Sequence, residues 1–222
     1  MGRVAILSRI EVRHVKIMLS ELSLDGDLTV PQDARGIILF AHGSGSSRGS
    51  PRNRFVASIL QEAGFATLLM DLLTKEEEVA DYFTGHLRFN VSMLAGRLTG
   101  AKDWLQKNEA GLVNLGYFGA STGAAAALIS AAEHPEGVQA VVSRGGRPDL
   151  AAPSLSRVQA PTLLIVGGND SLVIGLNQEA LKDLRVVSKL EIVPGATHLF
   201  EEPGALEQVS RLATAWFKRY LQ

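Results

Sequence analysis

Five short stretches of this chain are apolar almost without interruption: 36–41 (GIILFA), 65–70 (FATLLM), 115–118 (LGYF), 138–142 (VQAVV) and 162–166 (TLLIV). A sixth, 186–193, is more mixed. A strand with one wet face alternates apolar and polar residues. A continuous run of this length marks a strand buried on both faces, as in a parallel sheet covered by helices. Helical patterns separate the runs. Ser50-Pro51 reads as an N-cap and first helical residue ahead of Phe55, Val56, Ile59 and Leu60. Residues 91–106, 122–133, 174–184 and 205–221 follow, and in the last Leu206, Val209, Leu212, Trp216 and Tyr220 share a face. Alternating strand and helix predicts a doubly wound α/β sheet, mostly parallel, with right-handed crossovers. Ahead of it, 15–19 (VKIML) and 22–30 (LSLDGDLTV) read as an antiparallel hairpin with Asp25-Gly26 as its turn.

Composition narrows the function classes. With 222 residues the expectation is one domain over 1–222. A net charge of −1 removes the bulk electrostatic pull toward nucleic acid or anionic membrane. The chain has no cysteine, which excludes disulfides, a Cys-ligated metal and a thiol nucleophile. Residues 1–20 carry Arg3, Arg9, Glu11, Arg13 and Lys16, so they lack the apolar core of a signal peptide. Ile6 stands where an N-myristoylation signal has Ser or Thr. The expectation is a cytoplasmic protein. The sequence carries no sign of an oligomeric state.

In doubly wound sheets, ligands bind beyond the carboxyl ends of the strands. The chemistry-bearing residues therefore belong just after each apolar run. There stand His42-Gly43-Ser44-Gly45-Ser46, Gly119-Ala120-Ser121-Thr122-Gly123, Ser143-Arg144-Gly145-Gly146-Arg147, Gly167-Gly168-Asn169-Asp170 and Pro194-Gly195-Ala196-Thr197-His198. A serine, an aspartate and a histidine thus occupy strand ends in the order Ser121, Asp170, His198.

The glycines around Ser121 fit a nucleophile elbow, a sharp strand-to-helix turn that exposes a strained serine. The pattern alone is weak. Glycine is 22 of 222 residues, so a given serine has both glycines roughly one time in a hundred. Gly45-Ser46-Ser47-Arg48-Gly49 is a second match. Context favours Ser121, which has a strand directly before it and a helix directly after, whereas Ser47 lies in a polar loop. His198 sits between the last strand and last helix, where the general base belongs. Asp170 also reads as a helix N-cap. Asp149, beyond the preceding strand, is its rival as the acid that orients the base. The backbone N–H groups of Ser44 and Thr122 are the expected oxyanion-hole donors. His42 reads as a loop-orienting residue.

At these residues the chain resembles the α/β-hydrolase superfamily, and within it small hydrolases of the dienelactone-hydrolase type. The resemblance extends over about residues 15–221. It includes His42-Gly43-Ser44-Gly45-Ser46-Ser47 and Ser50-Pro51-Arg52-Asn53, similar to a subgroup sometimes fused to phosphoribosyltransferase domains. It implies an α/β-hydrolase fold without a large lid, because about 18 residues separate 138–142 from 162–166. It implies hydrolysis of a small carboxylic ester or lactone by Ser121, Asp170 and His198, with no cofactor and no metal. One departure is plain: dienelactone hydrolases proper use a cysteine nucleophile. The acidic insertion 74–89 reads as irregular, with Glu76–Glu78 in a solvated loop and Tyr82, Phe83 and His86 walling a substrate pocket. Arg48, Arg52, Arg144 and Arg147 follow strand ends and suit a carboxylate or phosphate on the substrate, Arg144 best of them. Acyl transfer and peptide hydrolysis use the same triad, and a non-catalytic binding module shares the same fold.

Overall fold

The computed structural model describes residues 10–109, 111, 112 and 114–221. The readings of Arg3, Ile6 and Arg9 lie outside them. The elements are β1 (Ile10–Met18), β2 (Ser23–Pro31), β3 (Ile37–Ala41), α1 (Pro51–Glu62), β4 (Ala66–Met70), α2 (Lys75–Thr84), α3 (Val91–Asn108), β5 (Leu115–Ala120), α4 (Thr122–Glu133), β6 (Val138–Arg144), α5 (Ala152–Leu155), β7 (Thr162–Gly167), α6 (Ser171–Asp183), β8 (Ser188–Val193) and α7 (Ala205–Tyr220). The strands form one sheet in the order β1-β2-β4-β3-β5-β6-β7-β8. The pairs β1–β2 and β2–β4 are antiparallel, and every other pair is parallel. This is the α/β-hydrolase architecture.

The continuous apolar runs are the strands buried on both faces. In β3, Ile37, Leu39 and Ala41 enter one core, with α3 and α4, while Ile38 and Phe40 enter the other, with α1 and α7. β5 divides likewise, Tyr117 to the first and Phe118 to the second. The mixed run forms β8, an edge strand, whose alternation reflects its exposure. α4 is buried all round from Thr122 to Ala132, and its alanines let it lie close against the sheet. Only a short 3₁₀ turn at Pro148–Ala151 and α5 join β6 to β7, so no large lid is present there.

Two local expectations are corrected. The hairpin turn is not Asp25-Gly26 but the segment between β1 and β2, where the Leu19 N–H donates to the Leu22 carbonyl at 2.8 Å. Gly26 lies inside β2, paired with Val15 on one side and Met70 on the other. It is glycine because a Cβ there would press on Leu68 and Ile17 side chains, 2.9 and 3.0 Å away. The acidic insertion is not an irregular loop. Glu76–Glu78 form the first turn of α2, which Thr74 caps reciprocally with Glu77.

Candidate active site

Three strand ends deliver the site. Ser121 leaves β5 at φ 50°, ψ −120°, a conformation L-residues adopt only when their surroundings impose it. The surroundings are tight. A Cβ at Gly119 would collide with the Ala124 backbone, and one at Gly123 with the carbonyls of Ala41 and His42. The Ser121 N–H donates to the Arg144 carbonyl at 3.2 Å, and the Ser121 carbonyl accepts from the Arg147 N–H at 3.1 Å. The elbow is therefore tied to the end of β6.

Asp170 caps α6, accepting from the Val173 N–H through Oδ1 at 3.4 Å. Its other oxygen, Oδ2, accepts from His198 Nδ1 at 2.7 Å. A carboxylate only accepts, so the proton is on Nδ1 and Nε2 is left as acceptor. Nε2 faces the Ser121 hydroxyl at 3.3 Å. Ser121, His198 and Asp170 thus form one hydrogen-bonded relay. Asp149 has no part in it: Arg147 holds both its oxygens, at 2.8 and 2.7 Å, and keeps the carboxyl below its usual range. Ser47 accepts from the Gly49 N–H within its loop.

The loop after β3 lies against the elbow. A Cβ at Gly43 would stand 3.1 Å from the Ser121 Cβ. Thr122 opens α4, so its N–H has no intrahelical acceptor. The Ser44 N–H donates to Thr122 Oγ1 at 2.9 Å. His42 is buried. Its Nδ1 donates to the Gly43 carbonyl at 2.9 Å, and Nε2 accepts from the Leu72 N–H at 3.1 Å. Burial lowers its pKa and keeps the ring neutral. Arg48 braces the same loop by an ion pair to Asp71.

Beside this loop is a cavity of about 600 Å³, lined by residues 42–47, by the first turn of α1, and by Leu72, Leu73, Tyr82 and Leu94. Tyr82 is among its lining residues. Phe83 and His86 are exposed and lie outside its wall. Leu72 and Leu73, which follow β4 as the strand-end rule requires, also line it. Arg144 is buried, its guanidinium 5.9 Å from the Phe200 ring centroid, with Nη2 donating to Asn53 Oδ1 at 3.3 Å. Burial, and then the charge of Arg52, lower its pKa to about 10, which leaves it charged at neutral pH. Among the described residues no helix is long and apolar enough to cross a membrane.

Fold and strand-end site together define an α/β-hydrolase-fold protein. Residues 24–221 match the Dienelactone hydrolase family, and the chain belongs to it. A solved dienelactone hydrolase from Anabaena variabilis is 58% identical, covers 96% of this chain and 99% of its own, and superposes with a TM-score of 0.94. Est1E from Butyrivibrio proteoclasticus shares the fold at 15% identity, TM-score 0.79, over 93% of this chain and 98% of its own. A Mycobacterium tuberculosis H37Rv protein named "Putative phosphoribosyl transferase" is 56% identical over 94% of this chain. This chain spans 46% of that relative's length.

Proposed function

We propose that the chain is a serine hydrolase of a small carboxylic ester or lactone, acting as one domain over residues 1–222. The observation that carries this is the continuous relay from Asp170 Oδ2 through both His198 nitrogens to the Ser121 hydroxyl. His198 takes the Ser121 proton as Oγ attacks the ester carbonyl. Asp170 holds the ring orientation and stabilises the imidazolium. The oxyanion displaces Thr122 Oγ1 from the Ser44 N–H and accepts from both the Ser44 and the Thr122 N–H, each donor lowering the barrier by about 3–4 kcal/mol. His198 then gives its proton to the leaving alcohol, an acyl-Ser121 forms, and water activated by the same ring releases the acid. The cavity beside the loop takes the substrate, with Leu72, Leu73 and Leu94 as its apolar floor. Membership of the Dienelactone hydrolase family supports hydrolysis. Ser121 replaces the cysteine of dienelactone hydrolases proper.

A fluorophosphonate ester, which traps activated serines, tests the reading. Peptide mapping is expected to find one adduct, on Ser121, and Ser121→Ala is expected to lower kcat about 10⁴-fold or more. Labelling of Ser47, no labelling of folded protein, or activity surviving Ser121→Ala overturns it. Added alcohols that raise product yield above that with water alone redirect the assignment to acyl transfer.

A further inference from the structure

Four arginines follow strand ends on the side of Ser121, and the structure sorts them. Arg48 pairs with Asp71, and Arg147 pairs with Asp149 through two hydrogen bonds. Arg144 is different, and Arg52 has only an exposed partner, Glu201, among the described residues. Arg144 ends β6, is 7% exposed, and has no ion pair among the described residues. Its Nε and Nη1 are buried without a hydrogen-bond acceptor, and so is Arg52 Nε. Both side chains meet the first turn of α1. Arg144 binds Asn53 there, and Arg52 is the residue before it. Arg52 lines the cavity beside the oxyanion loop, together with Ser50 and Pro51.

A buried guanidinium without an anion is costly, and a second one nearby adds repulsion. Among the described residues, the carboxylate that pairs with Arg52 is Glu201, which accepts from Arg52 Nη1 at 2.8 Å and is 62% exposed at its side chain. An exposed pair of that kind is weak and yields easily to a competing anion. The Phe200 ring, on the neighbouring residue, covers Arg144. Phe200 is fully buried, so Glu201 is the displaceable partner of the two cations.

We propose that Arg52, which lines the α1 end of the cavity, and Arg144, which binds the same helical turn, form an anion subsite that takes a phosphate monoester carried by the substrate, Glu201 giving way to it. This deepens the hydrolase reading and rests on it, because the phosphate belongs to the ester that Ser121 attacks. The donors favour phosphate over carboxylate. Arg52 Nε, Arg144 Nε and Nη1, and the backbone N–H of Arg52 in the first helical turn come from two side chains and a helix end. A planar carboxylate is satisfied by one guanidinium fork and carries one charge. A phosphate monoester presents three terminal oxygens and a charge near −2, which matches two arginines.

Three aryl acetates with the same acyl group test the proposal: phenyl acetate, 4-acetoxybenzoate and 4-acetoxyphenyl phosphate. The phosphate ester is expected to show kcat/KM about tenfold or more above both others. Arg52→Met is expected to bring its ratio to phenyl acetate close to one, and comparison of that ratio between variant and parent cancels intrinsic ester reactivity. Glu201→Gln is expected to tighten inorganic phosphate, measured calorimetrically on the full chain. Arg144→Met is expected to weaken phosphate; if it does not fold, the other two variants decide. A parent ratio near one, a ratio unmoved by Arg52→Met, or equal preference for 4-acetoxybenzoate overturns the phosphate subsite. If no ester is cleaved and fluorophosphonate does not label Ser121, the hydrolase reading fails. Phosphate binding that Arg52→Met abolishes still upholds the anion site in that case, and absence of phosphate binding overturns it.

Discussion

Asp170 carries two duties on two oxygens, and the two are separable. Oδ1 caps α6 and Oδ2 accepts from His198. Asparagine caps helices as well as aspartate does. Its amide does not supply the acceptor charge that holds the imidazole with its proton on Nδ1. Asp170→Asn is therefore expected to lower kcat about 10⁴-fold with an almost unchanged Tm. A parallel fall in Tm and activity would assign Asp170 to the helix alone. The same residue explains why a single sequence leaves the acid ambiguous. Asp149 also follows a strand, and only the Arg147 fork around it removes it from contention. That fork is local in sequence, but a chelate between residues two apart leaves no periodic signal.

At the scale of elements, α2 is the part of the site that is held by charge rather than by apolar packing. Asp81 is its one buried residue, and Val79, Tyr82 and Phe83 are exposed. Its ends are pinned instead. At the start, Arg97 of α3 donates to both oxygens of Glu77, at 2.7 and 2.5 Å, and to the Leu72 carbonyl. That pairing holds the Glu77 carboxyl below its usual range. At the far end Asp81 accepts from the Leu87 and Arg88 N–H groups and from Arg88 Nε. Burial alone raises the Asp81 pKa, yet Arg88 and those donors outweigh it and hold the carboxyl down. Arg97→Met leaves Glu77 without its cation and the Leu72 carbonyl without the Arg97 donor. With Glu77 partly open to water, the cost is about 2–3 kcal/mol. Hydrogen exchange is expected to quicken over Lys75–Thr84 while β3 and β5 keep their protection. Unchanged exchange in α2 would show that the Arg97 pair does not hold it. The helix was hard to read because its apolar residues, Val79, Tyr82 and Phe83, face outward. The Thr74–Glu77 capping box was the signal present in the chain.

For the whole molecule, the shifted groups predict how stability falls with acid. His42 has a folded pKa below the unfolded value of 6.5. Its contribution is complete above pH 6.5 and is lost as pH falls through that value toward the folded one. Asp25, Glu77 and Asp149 are also lowered, from 3.8, 4.5 and 3.8, so their contribution is lost only below about pH 4. Tm is expected to decline in two stages, and His42→Gln is expected to flatten the first while leaving the second. A first stage unmoved by that substitution would assign it to another group. The amino-acid sequence by itself determined the architecture, because continuous apolar runs between helical segments admit one economical burial, a parallel sheet covered on both faces. It also brought Ser121 and His198 together with a strand-end aspartate, since strand ends of such a sheet share one edge. The turn at 19–22, the helical form of 75–84 and the choice of Asp170 over Asp149 were decided by tertiary structure. So was the lack of an ion pair at Arg144, among the described residues, in a set of four similar arginines. Each depends on which group lies across a gap of a few ångströms, and that is set only when the sheet is assembled.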